Sequence, residues 1–372
     1  GLLVEYERGW KVTEAMPVNV LGFQTHRDDF AIDMDSTALR NRIAEMRDEQ
    51  LNDYEFSQKY ELKDNRDWQL QKARQSLRRD DGWEKKLSQI AYRPFDLRYG
   101  YFSEVAMDYP RKELIQHVAG KQNICIGIGR AGNAVSEEVW SLQTVAIYPL
   151  DANVFRRGGV NVFPLWLYPN KTPADLLEAA ETEKRPNLAP EFVADLQKTQ
   201  GQPVSPEDTL AYLYAVLYTP GYRTRYADFL KRDFPRVPLT GNPELFAQLV
   251  KLGHELIGLH TLQTAPARIT GFPVAGSNEV GKVRFGIEAG APTGRVWIND
   301  AQYFDGVPQA VWDMHIGGYR VAEKWLKDRK GRLLGYDDIT HYQHTLAALA
   351  RTLAIQAELD AAVHAAGGWP LQ

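Results

Sequence analysis

The stretch SPEDTLAYLYAVLY, residues 205–218, decides much of the fold of this chain. Its first four residues combine a serine N-cap, a proline suited to the first turn and two acids that face the positive end of a helix dipole. Apolar and aromatic side chains then recur at helical spacing, at Leu210, Leu213, Tyr214 and Leu217. The pattern predicts a helix with one buried stripe, which ends before the helix breaker Pro220-Gly221.

Further helices are predicted on both sides of this segment. A second one carries Tyr226, Phe229 and Leu230, and a third begins at Asn242-Pro243-Glu244. The highly charged residues 36–90 also show helical spacing, and a closing helix is predicted over residues 337–364. The middle of the chain, residues 171–265, is therefore expected to be mostly helical.

Short β-like runs, punctuated by Gly, Asn and Pro, occupy residues 90–170 and 266–320. They include LRYGYF, NICIGI, TVAIYPL, VNVFPLWLY, GKVRFGI, GRVWIND and AVWDMHI. Together with the helices they predict an α/β chain of mixed α+β type, in which strand-rich units combine with a mostly helical unit. We expect residues 1–85 to form a helical connector and residues 86–372 the main domain.

The composition is that of an ordinary globular protein, with 372 residues, 44% hydrophobic and 25% charged. A net charge of −4 means that a nucleic-acid partner would require segregated positive charge. The single cysteine excludes an internal disulfide and favours a reducing, cytoplasmic location. There is no signal peptide or long apolar run, so no membrane association is expected. Because the chain does not begin with Met, we expect it to be a fragment or a processed form.

The run NICIGIGRAGN, residues 123–133, contains a G-x-G-x-x-G pattern at Gly127, Gly129 and Gly132, and Asp151 follows about 20 residues later. One interpretation is a dinucleotide- or S-adenosylmethionine-binding loop. The other is a plain strand with a glycine-rich turn, which is favoured because no series of βα repeats follows. A free-standing nucleotide- or S-adenosylmethionine-binding enzyme is therefore kept as the alternative function.

Other signs of catalysis are weak. His341 and His344 lie three residues apart without a matching acid, so we expect no metal site. Cys125 lies between isoleucines, which favours an inert buried thiol over a nucleophile. No serine-nucleophile or P-loop pattern is present, and no catalytic residue is assigned.

Basic and amide side chains cluster instead in glycine-flanked turns. Arginine can bind guanine with two hydrogen bonds and asparagine can bind adenine, and glycine lets a loop approach a groove closely. The candidate DNA-binding residues are Arg130, Asn133, Arg156, Arg157, Lys282, Arg284 and Arg295.

Several long stretches resemble the C-terminal part of Type ISP restriction–modification enzymes and related N6-adenine DNA methyltransferases. They are residues 209–239, 162–170 and 311–342, supported by YRPFDLRYGYF (92–102) and GFQTHRDDFAID (22–33) in the same order. The resemblance implies a target-recognition domain that binds double-stranded DNA and reads the sequence to be methylated. A separate methyltransferase domain would then flip out the adenine and use S-adenosylmethionine.

The resemblance also implies what this chain lacks. The Asn-Pro-Pro-Tyr signature of such methyltransferases is absent, so catalysis and the cofactor are expected in the methyltransferase domain, with motor and nuclease domains as further partners of the full protein. The G-x-G-x-x-G pattern then matches a cofactor-binding motif in sequence only. A bacterial or archaeal cytoplasm would be the location.

The long segments that carry the resemblance are expected to reflect packing of the core more than recognition of bases. Tyr222, Tyr226, Phe229, Trp325 and Leu326 have core chemistry at helical spacing. The cations Arg223, Arg225, Lys231 and Arg232 fit either phosphate contacts or a solvated helix face. A further alternative is a structural domain that couples other parts of the protein and contacts protein more than DNA.

Overall fold

A computed structural model describes residues 1–129, 139–169 and 184–372 of the chain. Its helices are α1 Leu2–Glu7, α2 Val12–Ala15, α3 Asp28–Ala31, α4 Ser36–Arg47, α5 Asp53–Lys59, α6 Leu70–Arg78, α7 Lys112–Val118, α8 Pro190–Gln200, α9 Pro206–Tyr218, α10 Pro220–Arg225, α11 Ala227–Leu230, α12 Pro243–His260, α13 Gln309–Trp312, α14 Val321–Lys327 and α15 Tyr336–Ala365, with a 3-10 turn at Trp83–Lys86.

The strands are β1 Trp10–Lys11, β2 Val20–Leu21, β3 Ile32–Asp33, β4 Leu87–Arg93, β5 Asp96–Tyr101, β6 Cys125–Gly129, β7 Gln143–Ala146, β8 Val160–Pro164, β9 Trp166–Leu167, β10 Arg185–Pro186, β11 Arg236–Val237, β12 Arg284–Gly286, β13 Gly294–Trp297, β14 Tyr303–Val307, β15 His315–Ile316 and β16 Tyr319–Arg320. The prediction of a mixed α/β chain is confirmed.

The strands form several small antiparallel sheets. A four-stranded sheet has the order β2-β8-β6-β7, and a three-stranded sheet has the order β3-β5-β4. A second three-stranded sheet, which we call the outer sheet, has the order β12-β13-β14. The remaining strands pair as β1-β11, β9-β10 and β15-β16.

Helix α9 lies at the centre of the large core. Its start is the predicted one, because the Ser205 side chain accepts a hydrogen bond from the Asp208 amide. The predicted one-sided stripe is wrong, however, since every residue from Thr209 to Tyr218 is buried. Helix α12 approaches so closely that a Cβ at Gly253 would lie 2.0 Å from the Ala211 carbonyl oxygen. On another side, the Gln143 amide of β7 donates to the Tyr214 carbonyl at 3.2 Å.

Buried apolar side chains of the described residues form a large core and a small core. The small core draws its members from residues 23–107, including Phe30 of α3, Ile43 of α4 and Ile90 of β4. Strand β3 pairs with β5, so residues on both sides of position 85 share one sheet. The division of the chain at residue 85 stays a prediction, and these pairings are the contacts that such a boundary would cross.

One strand prediction is wrong. The run AVWDMHI, residues 310–316, contributes a short helix, α13, and only His315–Ile316 is a strand. The reason is that Pro308 is the N-cap of α13, and the helical turn that follows buries both Val311 and Trp312.

Candidate nucleic-acid interface

The first two glycines of the G-x-G-x-x-G pattern lie on an inner strand of an antiparallel sheet. Strand β6 contains Gly127 and Gly129 and runs antiparallel to both of its neighbours, whereas a dinucleotide-binding unit needs a parallel sheet. A Cβ at Gly127 would lie 2.9 Å from Val160 Cγ2, and one at Gly129 would lie 2.9 Å from Leu142 Cβ. These glycines are explained by close packing. Gly132 lies outside the described residues.

Residues 151–160, which we call the arginine loop, lead into β8 and extend from this sheet into solvent. The loop is closed by a hydrogen bond from the Val160 amide to the Ala152 carbonyl at 3.0 Å. Its base is tied to both cores, because the Ala152 amide donates to the carbonyl of Phe23 in the small core and the Asp151 amide donates to the carbonyl of Ala91 in the large core. Between these anchors and the buried Phe155, the chain turns outward.

Arg156 and Arg157 lie on the outward part of the arginine loop. Both residues are exposed, and neither forms an ion pair with an acid in residues 1–129, 139–169 or 184–372. The one carboxylate of the loop, Asp151, is buried. The loop therefore presents two free positive charges on a rigid base, although the whole chain is acidic.

A short hairpin, residues 315–320, supports the arginine loop from the side. The Arg156 amide donates to the Gly317 carbonyl at 2.7 Å, and the Gly317 amide donates to the Ser141 carbonyl at 2.9 Å. Its two turn residues, Gly317 and Gly318, have φ values of +60° and +83°, as two-residue hairpin turns require. A Cβ at Gly317 would also lie 2.0 Å from the Phe155 ring. Sequence reasoning did not assign this hairpin to the site, although its Gly-Gly pair was a readable turn signal.

The outer sheet has a buried face and a solvent face. Val296 and Phe304 pair across β13 and β14 and are fully buried, and Phe285 stacks on Trp312 at 5.3 Å. Trp312 in turn lies under the Arg320 guanidinium of the hairpin, 5.3 Å away. These contacts place the outer sheet beside the hairpin and the arginine loop. The solvent face carries Arg284, Arg295, Trp297, Tyr303 and Asp305.

The two arginines of that face differ in their electrostatic surroundings. The guanidinium of Arg284 stacks on Trp297 at 4.1 Å and has no acidic partner in the described part of the chain. Arg295 stacks on Tyr303 at 4.4 Å and also pairs with Glu288 at 3.0 Å and Asp305 at 3.2 Å. Arg284 is thus the freer cation. Lys282, two residues before it, is exposed and unpaired among the described residues.

The remaining predicted site residues, Arg130 and Asn133, lie outside the described residues. Described residues on either side of that segment lie beside the arginine loop and its supporting hairpin. Gly129 packs near Phe155, and Ser141 accepts the hydrogen bond from Gly317.

Charged side chains in YRPFDLRYGYF, residues 92–102, form a buried ionic network and not a ligand site. The guanidinium groups of Arg93 and Arg98 stack on Tyr92 at 3.9 and 4.0 Å. Asp96 is buried and pairs with Arg98 at 3.0 Å and with Arg329 at 2.9 Å. Two of the stretches that carry the family resemblance, residues 92–102 and 311–342, are therefore joined by the Asp96–Arg329 ion pair. This contact agrees with the expectation that such stretches reflect packing.

Two of the four cations after α9 have structural partners. Arg223 is buried, with its Nε donating to the Leu217 carbonyl at 2.6 Å, so neither the phosphate nor the solvated-face interpretation fits it. Arg225 pairs with Glu5 at 2.7 Å. Lys231 and Arg232 are exposed.

Other titratable groups among the described residues are held by burial or by structural partners. Cys125 is a buried thiol, as predicted, and burial raises its pKa far above the usual range. The Nε2 of His341 donates to the Phe95 carbonyl, 2.7 Å away, and the ring stacks on Trp325. Within the described ranges, no group of three or more His, Cys, Asp or Glu side chains is arranged to hold a metal ion, and no helix is suited to span a bilayer.

Comparison with known proteins gives a consistent result. The family model described as the Type ISP C-terminal specificity domain matches residues 14–358. Curated protein sequences give no significant match.

Three solved structures are similar at low sequence identity. A nuclease-deletion mutant of the Type ISP restriction-modification enzyme LlaGI, in complex with a DNA substrate mimic, has a TM-score of 0.67 and 19% identity over 95% of this chain. The ATP-dependent Type ISP enzyme LlaBIII bound to DNA has a TM-score of 0.70 and 18% identity over 93% of this chain. A DrdV–DNA complex has a TM-score of 0.70 and 19% identity over 92% of this chain.

This likeness shows a shared fold. The chain spans only part of each of those longer chains, namely 29%, 23% and 36% of their lengths.

Proposed function

The chain belongs to the family of Type ISP C-terminal specificity domains, and from this premise we propose that it recognises a specific double-stranded DNA sequence for a restriction–modification enzyme. The observation that carries the proposal is the arginine loop. Two exposed arginines without described acidic partners lie on a loop whose base and tip are both anchored. A preorganised pair of this kind loses little conformational freedom on binding.

The proposed interface makes two kinds of contact, one with phosphates and one with base edges. Lysine and arginine side chains bind phosphates, release counterions and fix the register on the duplex. Side chains that reach base edges in the major groove then supply sequence preference. We assign Arg156, Arg157, Lys282 and Arg284 to this surface and keep Arg130, Asn133 and Arg295 as further candidates.

The rest of the reaction belongs to other parts of a larger protein in this proposal. A methyltransferase domain holds S-adenosylmethionine and receives the flipped adenine, and motor and nuclease domains act on the same DNA in a bacterial or archaeal cytoplasm. The alternative, a free-standing enzyme that uses the glycine pattern for a nucleotide, is not supported at β6, because this strand pairs antiparallel with both of its neighbours.

Binding to a fluorescent pool of random-sequence 30-bp duplexes tests the proposal. The association constant should fall steeply with salt, with a log–log slope of about −2 to −4 for a few phosphate contacts. Sequencing the DNA retained at higher salt should show enrichment of one short motif. A slope near zero, or a retained pool without any enriched motif, would contradict DNA recognition and favour the protein-coupling alternative.

Arg284 offers a prediction on the outer sheet. Arg284→Ala should weaken binding of the enriched duplex about three- to tenfold, since one cationic contact is lost. Trp297→Ala should have a similar but smaller effect, because the indole holds the guanidinium in place. Fluorescence anisotropy measures both, with Lys198→Ala on the exposed side of α8 as the matched control. Equal dissociation constants for Arg284→Ala and the control would remove Arg284 from the interface.

A further inference from the structure

Asp151 is a buried carboxylate at the base of the arginine loop. It is 2% exposed, and its Oδ1 accepts a hydrogen bond from the Asn153 amide at 2.7 Å. The same oxygen lies 3.4 Å from Nη1 of Arg93 on β4. An asparagine would satisfy the amide equally well, so the feature that only a carboxylate supplies is the ion pair with Arg93.

This ion pair joins the arginine loop to the small core. Arg93 is held by stacking on Tyr92 and by donating to the Tyr92 carbonyl at 2.7 Å. The hydroxyl of Tyr92 donates to Asp28 of α3 at 2.8 Å. The groups that face Asp151 are therefore Arg93 from β4, Asp28 from α3 and, beside Arg93, Tyr319 of the hairpin.

We propose that Asp151 is a positioning residue for DNA contact, which acts through Arg93 to hold Arg156 and Arg157 in their binding geometry. The inference rests on the proposed function of the arginine loop. In this proposal Asp151 itself does not touch DNA, since its side chain is buried and its amide is bonded to Ala91 of β4.

The energetics distinguish this role from simple stabilisation. Burial raises the pKa of Asp151 to about 6, Arg93 opposes the rise and Asp28 adds to it. An acid with a raised pKa in the folded state favours folding when it is protonated, so the ionised carboxylate reduces stability at neutral pH. A charged group that costs stability and lies beneath an exposed binding loop is better explained by function than by folding.

A double-mutant cycle tests the proposal with Asp151→Asn, Arg93→Gln and the combination of both. At pH 8 each single variant should raise the dissociation constant for the enriched duplex about tenfold, and the double variant should be no weaker than the singles. The urea midpoint of Asp151→Asn should not fall below that of the unchanged chain. Additive losses in the cycle would overturn the proposal, as would a loss of affinity that matches the unfolded fraction.

The pH dependence gives a second readout that does not depend on whether Arg93→Gln folds. Between pH 8 and pH 5 the unchanged chain should lose affinity relative to Asp151→Asn, because only the former protonates Asp151 in that window. Parallel pH profiles would overturn the proposal. Failure of Arg156 and Arg157 substitutions to affect binding would instead refute the DNA-binding role of the loop.

Discussion

Replacement of Arg156 and Arg157 together by alanine is expected to weaken DNA binding by about 10- to 100-fold, because each contact contributes roughly 1–3 kcal/mol and the two losses combine incompletely. The fold should be unaffected, since both side chains are exposed and exposed positions rarely change stability by more than about 0.5 kcal/mol. Anisotropy titrations with the enriched duplex measure the loss. The salt slope should also become less negative by about 1 to 2, depending on how many phosphates the pair contacts.

A matched control separates this effect from a general loss of positive charge. Arg79, which follows α6, and Lys198 of α8 are exposed and have no acidic partner in the part of the chain that the structure describes. The variant Arg79→Ala/Lys198→Ala also removes two charges, and it should keep its affinity within about twofold. If both double variants lose affinity to the same extent, the binding is non-specific attraction to the whole molecule and the arginine loop is not the interface.

The long helices were predictable because their start signals are local. The serine cap of α9 and the asparagine cap of α12 both accept hydrogen bonds from their first-turn amides, as their sequences indicate. The closing helix α15 begins at Tyr336, beside the predicted Asp337-Asp338 start. Such signals need only four or five neighbouring residues, and tertiary contacts then reinforce them.

The burial of α9 was harder to predict, because it depends on what lies around the helix. The sequence between Thr209 and Tyr218 contains no charged side chain, which indicates burial on all sides. The hydroxyls of its tyrosines obscured that signal. Tyr212 donates to the Pro238 carbonyl, and Tyr214 bonds to His260, so these polar groups are satisfied inside the core.

The candidate site could be predicted only in outline. Glycine-flanked arginines in turns pointed to Arg156, Arg157 and Arg284, and the structure leaves all three cations without acids among the described residues. Asp151 was considered only as the acid of a dinucleotide site, because its distance in sequence from the glycines fitted that motif. Its true partner, Arg93, is 58 positions away and reaches it only through the packing of β4 against the loop base.

The joint between the two cores also depends on contacts that are distant in sequence. Asp96 of β5 is 1% exposed, and Arg329, which follows α14, binds it through two nitrogens at 2.9 and 3.2 Å. Arg329 also stacks on Trp325 at 3.6 Å. Burial alone would raise the pKa of Asp96, but Arg329 and Arg98 together lower it below its usual value. Asp96 therefore stabilises the fold above its unfolded-state pKa, and this contribution is lost as the pH falls through the lowered folded-state value.

Substitution of Arg329 by methionine is expected to reduce the free energy of unfolding by about 3 kcal/mol at pH 7, because it leaves a buried carboxylate with Arg98 as its remaining close cation. Urea titrations followed by circular dichroism measure this loss, which should shrink towards acid pH as Asp96 becomes protonated. The control is Arg40→Met, since Arg40 and Glu84 form a pair in which both side chains are half exposed, at 51% and 55%, and such pairs contribute little. A loss for Arg329→Met as small as that of the control would mean that apolar contacts, and not the Asp96–Arg329 pair, hold the two cores together.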